Sequence, residues 1–69
     1  MMRYGIVIED AGSDYSAYVP DLPGCVATGQ SIPEVEQRIC EAIQFQIEGL
    51  REDDLPVPEP SAICELLEV

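Results

Sequence analysis

The stretch YSAYVPDLPGCVATGQS, residues 15–31, decides how this chain folds. It begins as a strand, bends through VPDLPG, resumes briefly as CVAT and reaches a glycine before a helix. Two prolines within four residues each remove a backbone donor and fix φ, so Pro20 ends the first of these strands. Pro23 and Gly24 then form a turn that leads into the next strand. A corner built from proline, leucine and glycine is stiff and apolar, which indicates a shape that matters to the protein.

The residues before this stretch predict a first strand. RYGIVIE, residues 3–9, alternates between two sides with β-branched residues, which is the pattern of a half-buried strand. One side carries Tyr4, Ile6 and Ile8. The turn formers DAGSD follow, with Gly12 able to adopt positive φ, so the first strand and residues 15–19 are expected to form a hairpin.

The residues after the stretch predict one amphipathic helix. Ser31 is a suitable N-cap, Glu34 completes a capping box, and Pro33 falls in the first turn, where its missing N–H costs nothing. An apolar stripe then recurs at steps of three and four residues. Its members are Ile32, Val35, Ile39, Ile43, Ile47 and Leu50. Gln46 falls within this stripe, where a backbone contact is the only evident role, and Phe45 projects to the polar side.

The end of the chain completes the predicted fold. LPVPEPS, residues 55–61, is a proline-rich extended connector, and AICELLEV, residues 62–69, favours a last strand over a short helical turn. The order β-β-β-α-β predicts a single α+β domain over residues 1–69, with one helix packed on one face of a small sheet and strand four beside strand one. Val7, Tyr18 and Val26 are expected on the other face, which has few polar residues and would suit a second copy.

Composition restricts the classes of function. The chain carries 14 acidic and three basic residues, for a net charge of -11. Binding to bare DNA or RNA needs cations against phosphate, so we expect no direct nucleic-acid partner, whereas a basic protein is favoured. There is no histidine, and the three cysteines have no metal-binding spacing. No apolar run or cationic leader predicts a membrane span or signal peptide.

The small size predicts self-association. A domain of 69 residues buries a limited core, and the odd cysteine count offers no disulfide framework. We therefore expect a homodimer or a higher homo-oligomer.

Carboxylates are the remaining candidates for catalysis. Glu9, Asp10, Asp14 and Asp21 would have to converge on Mg²⁺, as in two-metal nucleases. Asp10 and Asp14 flank a turn, however, where acidic residues also occur for conformational reasons. The turn interpretation is favoured, so we expect a protein that is not an enzyme and has no metal or cofactor.

The corner and its surroundings resemble the HicB family of bacterial antitoxins. The resemblance covers nearly the whole chain and is carried by YSAYVPDLPGCVATGQSIPEVEQRICEAI, residues 15–43, and GLREDDLPVPEPS, residues 49–61. It implies a partial ribonuclease H-like fold of order β-β-β-α-β, in agreement with the order read from the residues. It also implies a cytoplasmic antitoxin that binds a HicA-type toxin, a small basic ribonuclease, and covers its RNA-binding or catalytic surface.

The chain departs from the family pattern in two respects. Many members carry a DNA-binding segment after this domain, and this sequence shows none up to Val69, so autonomous operator binding is not expected. Asp54 stands where many relatives have a helix-terminating glycine, and Pro33 stands where many have an acidic residue. Aspartate adopts the left-handed conformation more readily than most residues, so the first change is compatible with the fold.

The resemblance also suggests where a toxin would bind. Asp21 and Leu22 lie in the stiff corner, and Phe45 and Glu48 lie on the polar side of the helix. These four are the candidate toxin-binding residues. The alternatives are that Leu22 turns inward and that Phe45 is merely exposed. Two other functions stay open at this point: a self-associating domain without a toxin, and a metal-dependent nuclease.

Overall fold

The computed structural model of the chain describes residues 3–61. Within them the elements are β1 (Val7–Asp10), β2 (Tyr15–Tyr18), β3 (Val26–Gly29) and α1 (Ile32–Glu52). The predicted order of three strands and a helix, and the α+β class, are therefore confirmed for this part. The fourth predicted strand, residues 62–69, lies outside the described residues. β1 starts at Val7, later than the predicted residue 3.

The three strands form an antiparallel sheet in the order β1-β2-β3. The β1–β2 hairpin is closed by a bond of 2.8 Å from the Ala11 N–H to the Asp14 carbonyl. Gly12 takes a φ of 98°, and its N–H donates to the Asp10 carboxylate at 2.8 Å. Asp10 therefore has the conformational role that its position before a turn suggests.

The corner between β2 and β3 consists of two successive turns. The Leu22 N–H donates to the Val19 carbonyl at 3.1 Å, and the Cys25 N–H donates to the Leu22 carbonyl at 3.0 Å. A proline occupies the second position of each turn, and Gly24, with a φ of 81°, occupies the third position of the second turn. This is the type II geometry that Pro-Gly favours, so the turn predicted at these residues is confirmed.

The core lies between the sheet and α1, which packs mainly on β3 and β2. Its buried members are Ala17, Val19, Leu22, Cys25, Val35 and Ile39. Tyr4, Ile6 and Ile8 pack partly against them, which confirms the side predicted for these residues. Ile32 is 46% exposed, because it is the first residue of the helix and burial of the stripe starts only at Val35.

The helix start follows the capping chemistry of the sequence. The Glu34 N–H donates to Ser31 Oγ at 3.2 Å, as predicted for an N-cap. Glu34 Oε1 accepts the return bond from the Gln30 N–H at 3.1 Å, one residue earlier than in the standard capping box. Further along, Gln46 Nε2 donates to the Pro23 carbonyl at 3.3 Å, which is the backbone contact expected for this residue.

The helix ends in a Schellman motif. The Leu55 N–H donates to the Leu50 carbonyl at 2.8 Å, and the Asp54 N–H donates to the Arg51 carbonyl at 3.2 Å. Asp54 has a φ of 54°, so it adopts the left-handed conformation expected from its place in the sequence. A residue with a Cβ is less favourable than glycine there.

We expect Asp54→Gly to raise the free energy of unfolding by about 0.5–1 kcal/mol, because glycine adopts positive φ without a Cβ clash. Urea denaturation followed by helix circular dichroism measures the change. Asp53→Gly is the matched control, since Asp53 has a φ of -89° and gains nothing from glycine. Equal losses of stability in both variants would show that Asp54 is not strained.

Candidate protein-interaction surface

The sheet face opposite α1 carries a short apolar row. Val7 pairs with Tyr18, and Tyr18 pairs with Val26, so the three side chains lie side by side across all three strands. Tyr18 is 41% exposed and Val26 is 66% exposed. These are the residues predicted for this face. The neighbouring row is polar, however, with Glu9, Ser16 and Thr28, so the expectation that the face has few polar residues is wrong for that half.

A shallow groove lies where the β3 end of the sheet meets α1. Small residues contribute much of its lining, namely Gly24, Ala42 and Gly49, while Val26 and Phe45 also line it. Phe45 is 80% exposed, which agrees with its predicted position on the polar side of the helix. Val26 lines the groove and also belongs to the apolar row on the opposite sheet face, so Tyr18, Val26 and Phe45 are exposed apolar residues on the two sides of β3. We name these three residues the β3-edge surface.

Acidic residues border this surface on the outside of α1. Glu41 lies four residues before Phe45, whereas Glu48 and Glu52 lie three and seven residues after it. All three glutamates are exposed. Residues at these spacings share one side of a helix. We name Glu41, Glu48 and Glu52 the acidic ridge. Arg38 is the cation near its N-terminal end, and its guanidinium contacts the Glu34 carboxylate at 3.3 Å and the Thr28 carbonyl at 3.1 Å.

The four candidate toxin-binding residues occupy different environments. Phe45 and Glu48 are exposed neighbours on α1, so the structure brings these two together. Leu22 is 0% exposed, which corresponds to its inward alternative and corrects the idea that the corner presents this side chain. Leu22 belongs to the core cluster with Val35 and Ile39, and the bond from Gln46 to the Pro23 carbonyl joins the corner to the helix.

Asp21 holds the connector that follows the helix. Its two carboxylate oxygens accept bonds from the Ser61 N–H at 3.0 Å and from Ser61 Oγ at 2.7 Å. Tyr4 Oη donates to the Pro58 carbonyl on the same connector. Asp21 therefore links the corner to Ser61, 40 residues later in the sequence, and these two bonds stabilise the fold.

A second groove lies on the β1 side of the helix. It separates the chain just before β1 from the apolar side of α1, and its apolar lining is Tyr4, Ile6, Ile39, Ile43 and Ile47. This is the side on which the sequence predicts a fourth strand, whose residues lie outside the described part of the chain.

The titratable groups show no built catalytic centre in the described residues. Over residues 3–61 no three potential ligands among the acids and cysteines converge on a metal position. Asp10 is engaged with its turn and Asp21 with Ser61, so no observation favours the nuclease alternative. Cys25 is buried, and its burial raises the pKa of the thiol, which keeps the group neutral. No helix among these residues is long and apolar enough to span a bilayer.

The family of the chain follows from comparison with known proteins. Residues 4–69 match the family described as HicB_like antitoxin of bacterial toxin-antitoxin system. The chain belongs to the HicB-like antitoxin family. The resemblance carried by the corner and the connector is therefore confirmed, and it extends through β1, which contributed little to it.

Relatives of the chain occur in a phage, in bacteria and in an archaeon. An uncharacterized 14.9 kDa protein in the rep-hol intergenic region of Haemophilus phage HP1 is 42% identical over 62 residues, 90% of this chain. The match covers 47% of that protein, so the chain spans about half of its length. A UPF0150 protein of Synechocystis is 34% identical over 68 residues, covering 97% of this chain and 86% of its own. No solved structure is similar enough to count as a match.

A UPF0150 protein of Archaeoglobus fulgidus is 42% identical over 48 residues, which cover 68% of this chain and 70% of the relative. Proteins that are 34% to 42% identical to the chain therefore come from a phage, a bacterium and an archaeon.

The exposure of Phe45 and Glu48 could be predicted from the sequence, but the groove beside Phe45 could not. The signal for the groove was present in the spacing of Ala42 and Gly49, which lie three residues before and four residues after Phe45. Small residues at these positions leave room beside an aromatic side chain. Their meaning depends on Gly24, which approaches α1 only because the corner folds back.

Proposed function

We propose that this HicB-like antitoxin neutralises a small basic HicA-type ribonuclease by covering its RNA-binding or catalytic surface. The family supports the antitoxin role, and the net charge of -11 supports a basic partner. Complementary potentials accelerate encounter with a cationic protein and disfavour wrong partners. The same charge disfavours direct contact with DNA or RNA, so the chain would act on the toxin rather than on its substrate.

The observation that carries the proposal is the exposed Phe45 beside the acidic ridge. Aromatic residues at the centre of an interface contribute large apolar contacts, and charged residues around them set orientation and encounter rate. Glu48 stands next to Phe45, and Glu41 lies on the preceding turn. An RNA-binding surface on a toxin is rich in lysine and arginine, which is the charge that this ridge would attract.

Reversing two charges of the ridge should weaken neutralisation. We expect Glu41→Lys/Glu48→Lys to require about tenfold more antitoxin for half-inhibition of RNA cleavage at low salt, because like charges at an interface repel. The assay uses a purified HicA-type ribonuclease from the same host as the toxin. Glu36→Lys/Glu59→Lys changes the net charge by the same amount at exposed positions off the ridge, and it should neutralise nearly as well as the natural sequence.

The outcomes test the proposed antitoxin function and the proposed contact at the acidic ridge separately. Full cleavage in the presence of equimolar natural antitoxin would contradict the proposed function. Neutralisation by the Glu41→Lys/Glu48→Lys variant at the natural concentration would leave the function standing and would move the contact away from the ridge. A difference between the two double variants that shrinks at high salt would support an electrostatic contact.

Three finer proposals accompany this function. A HicA-type toxin acts on RNA, so we place the pair in the cytoplasm. The order of β1, β2, β3 and α1 agrees with a partial ribonuclease H-like fold, which is the fold that we propose for the domain. The open apolar row Val7, Tyr18 and Val26 supports self-association with a second copy of the chain.

A further inference from the structure

Among residues 3–61 no strand pairs with the outer edge of β3, and the hydrogen-bonding groups of this edge can be assigned. The Val19 N–H donates to the Cys25 carbonyl at 3.2 Å, so Cys25 directs its carbonyl towards the strand before it. Antiparallel strands alternate this direction from residue to residue. Ala27 and Gly29 therefore also face β2, whereas Val26 and Thr28 direct their N–H and C=O groups outward. The bond from Arg38 to the Thr28 carbonyl, which comes from outside the β2–β3 pair, agrees with this assignment.

This edge lacks the usual protection against pairing. Free edges are commonly shielded by a proline or by a charged side chain on the strand itself, and Val26–Gly29 contains neither. Arg38 comes from α1 and not from the strand, and its guanidinium contacts one acceptor of this edge, the Thr28 carbonyl. Val26, at 66% exposed, adds an apolar side chain at the outer end of the row. An edge with open backbone groups and an exposed valine is suited to another strand.

We propose that β3 pairs antiparallel with β3 of a second copy, about a two-fold axis that passes beside Val26. This register places Val26 opposite Val26 of the second copy, with both backbone groups of each residue available for the pair. The apolar row then continues without interruption, from Val7 through Tyr18 and Val26 into the same three residues of the other copy. An axis at Ala27 would instead place Val26 opposite Thr28 and would break the row.

The helix supports the same axis. Phe45 and Val26 line one groove, so an axis beside Val26 brings the Phe45 side chains of the two copies near each other. Ala42 lies on this side of α1, and its small size permits close approach of the two helices. The helices then run antiparallel, and Glu41 and Glu48 of both copies remain outward beside the Phe45 pair, whose outer surface stays open to a toxin.

Charge favours a second copy at this particular edge. Arg38 stands seven residues before Phe45 and Glu52 stands seven residues after it. When two antiparallel helices meet at Phe45, Arg38 of each copy comes level with Glu52 of the other. A purely cationic partner would instead meet Arg38 with a like charge. The dimer inference rests on the self-association proposed above and not on neutralisation of a toxin.

The mass of the full chain in solution tests whether two copies pair through the β3 edge. Sedimentation velocity at micromolar concentration should give twice the chain mass of 7.6 kDa for the natural sequence and a monomer for Val26→Lys. Gln44→Lys is the matched control, because it adds the same charge at an exposed residue that lines the second groove, on the β1 side of α1, and it should remain a dimer. Both variants reduce the net negative charge equally, so a monomer of Val26→Lys cannot come from greater repulsion between copies.

Failures of the two proposals are distinguishable. A natural chain that is monomeric would overturn self-association itself, together with the edge. A natural dimer that persists in Val26→Lys would overturn the β3 edge and leave self-association standing. Neither result decides the proposed function, because toxin neutralisation is read separately, as RNA cleavage.

A disulfide tests the register. Directly opposite residues of a hydrogen-bonded antiparallel pair have Cα atoms about 5.5 Å apart, which lies within the range that a disulfide bridges. In a Cys40→Ser/Cys64→Ser background, Val26→Cys should give a covalent dimer on mild oxidation. Thr28→Cys should give little, since four residues of offset separate the two cysteines by about 13 Å. The reverse result would overturn the axis at Val26.

Discussion

Leu22→Ala is expected to lower the free energy of unfolding by about 2–5 kcal/mol, the usual cost of a leucine removed from a filled core. Leu22 is 0% exposed and belongs to the core cluster with Val35 and Ile39. The backbone around it cannot collapse easily, because two prolines and two turn hydrogen bonds fix the corner. In a domain of this size such a loss removes much of the total stability.

Urea denaturation monitored by circular dichroism measures this loss, and Leu55→Ala supplies the same substitution at a residue that is 52% exposed. The control should change stability by less than about 0.5 kcal/mol. If both variants unfold at the same urea concentration, Leu22 is not a core residue and the corner presents it outward after all.

Gly29→Ala should be equally damaging for a different reason. A Cβ at Gly29 would lie 2.8 Å from the Val35 nitrogen and 3.1 Å from the Val35 Cα. These are backbone atoms at the start of α1, so the new methyl group can be accommodated only by moving the helix away from β3. We expect a loss of about 3 kcal/mol, at the upper end of the cost of overpacking.

Gly49→Ala is the matched control for this second variant. Gly49 lies inside α1, and a Cβ built there meets no atom within 4 Å. Alanine should therefore stabilise the helix by about 0.5–1 kcal/mol, because glycine loses more backbone freedom on folding. Thermal unfolding of the two variants should move in opposite directions. A shift of Gly29→Ala upward with Gly49→Ala would show that the helix does not approach β3 as closely as described.

Local chemistry accounts for the parts of the fold that the sequence predicts well. Pro23 and Gly24 specify a type II turn between neighbouring residues, and Ser31 specifies the helix start through a bond within one turn. Asp54 was expected to tolerate the left-handed conformation, and it adopts it. Each of these features depends on contacts within a few positions, so the residues alone carry the information.

The parts that the sequence left open depend on distant contacts. Leu22 had two possible directions, and its burial is decided by α1, which follows it in the chain. Asp21 was a candidate for partner contact, whereas its carboxylate receives Ser61 from 40 residues away. The edge position of β3 in the sheet of residues 3–61 is a property of strand order, and no local pattern shows which strand lies at an edge. The exposure of Phe45 could be predicted because helical periodicity alone places its side chain on the polar side of α1.

The reactivity of the buried Cys25 thiol reports how often the corner opens. Cys25 is 3% exposed, and its burial raises the pKa of the thiol, whereas Cys40 is exposed on α1. A thiol reagent reaches Cys40 directly, but it reaches Cys25 only in the brief intervals when the corner opens. The slow rate of Cys25 labelling at fixed pH therefore reports the free energy of that local opening. A partner that clamps the corner shut would reveal itself by slowing the reaction, even if no bond to it were seen.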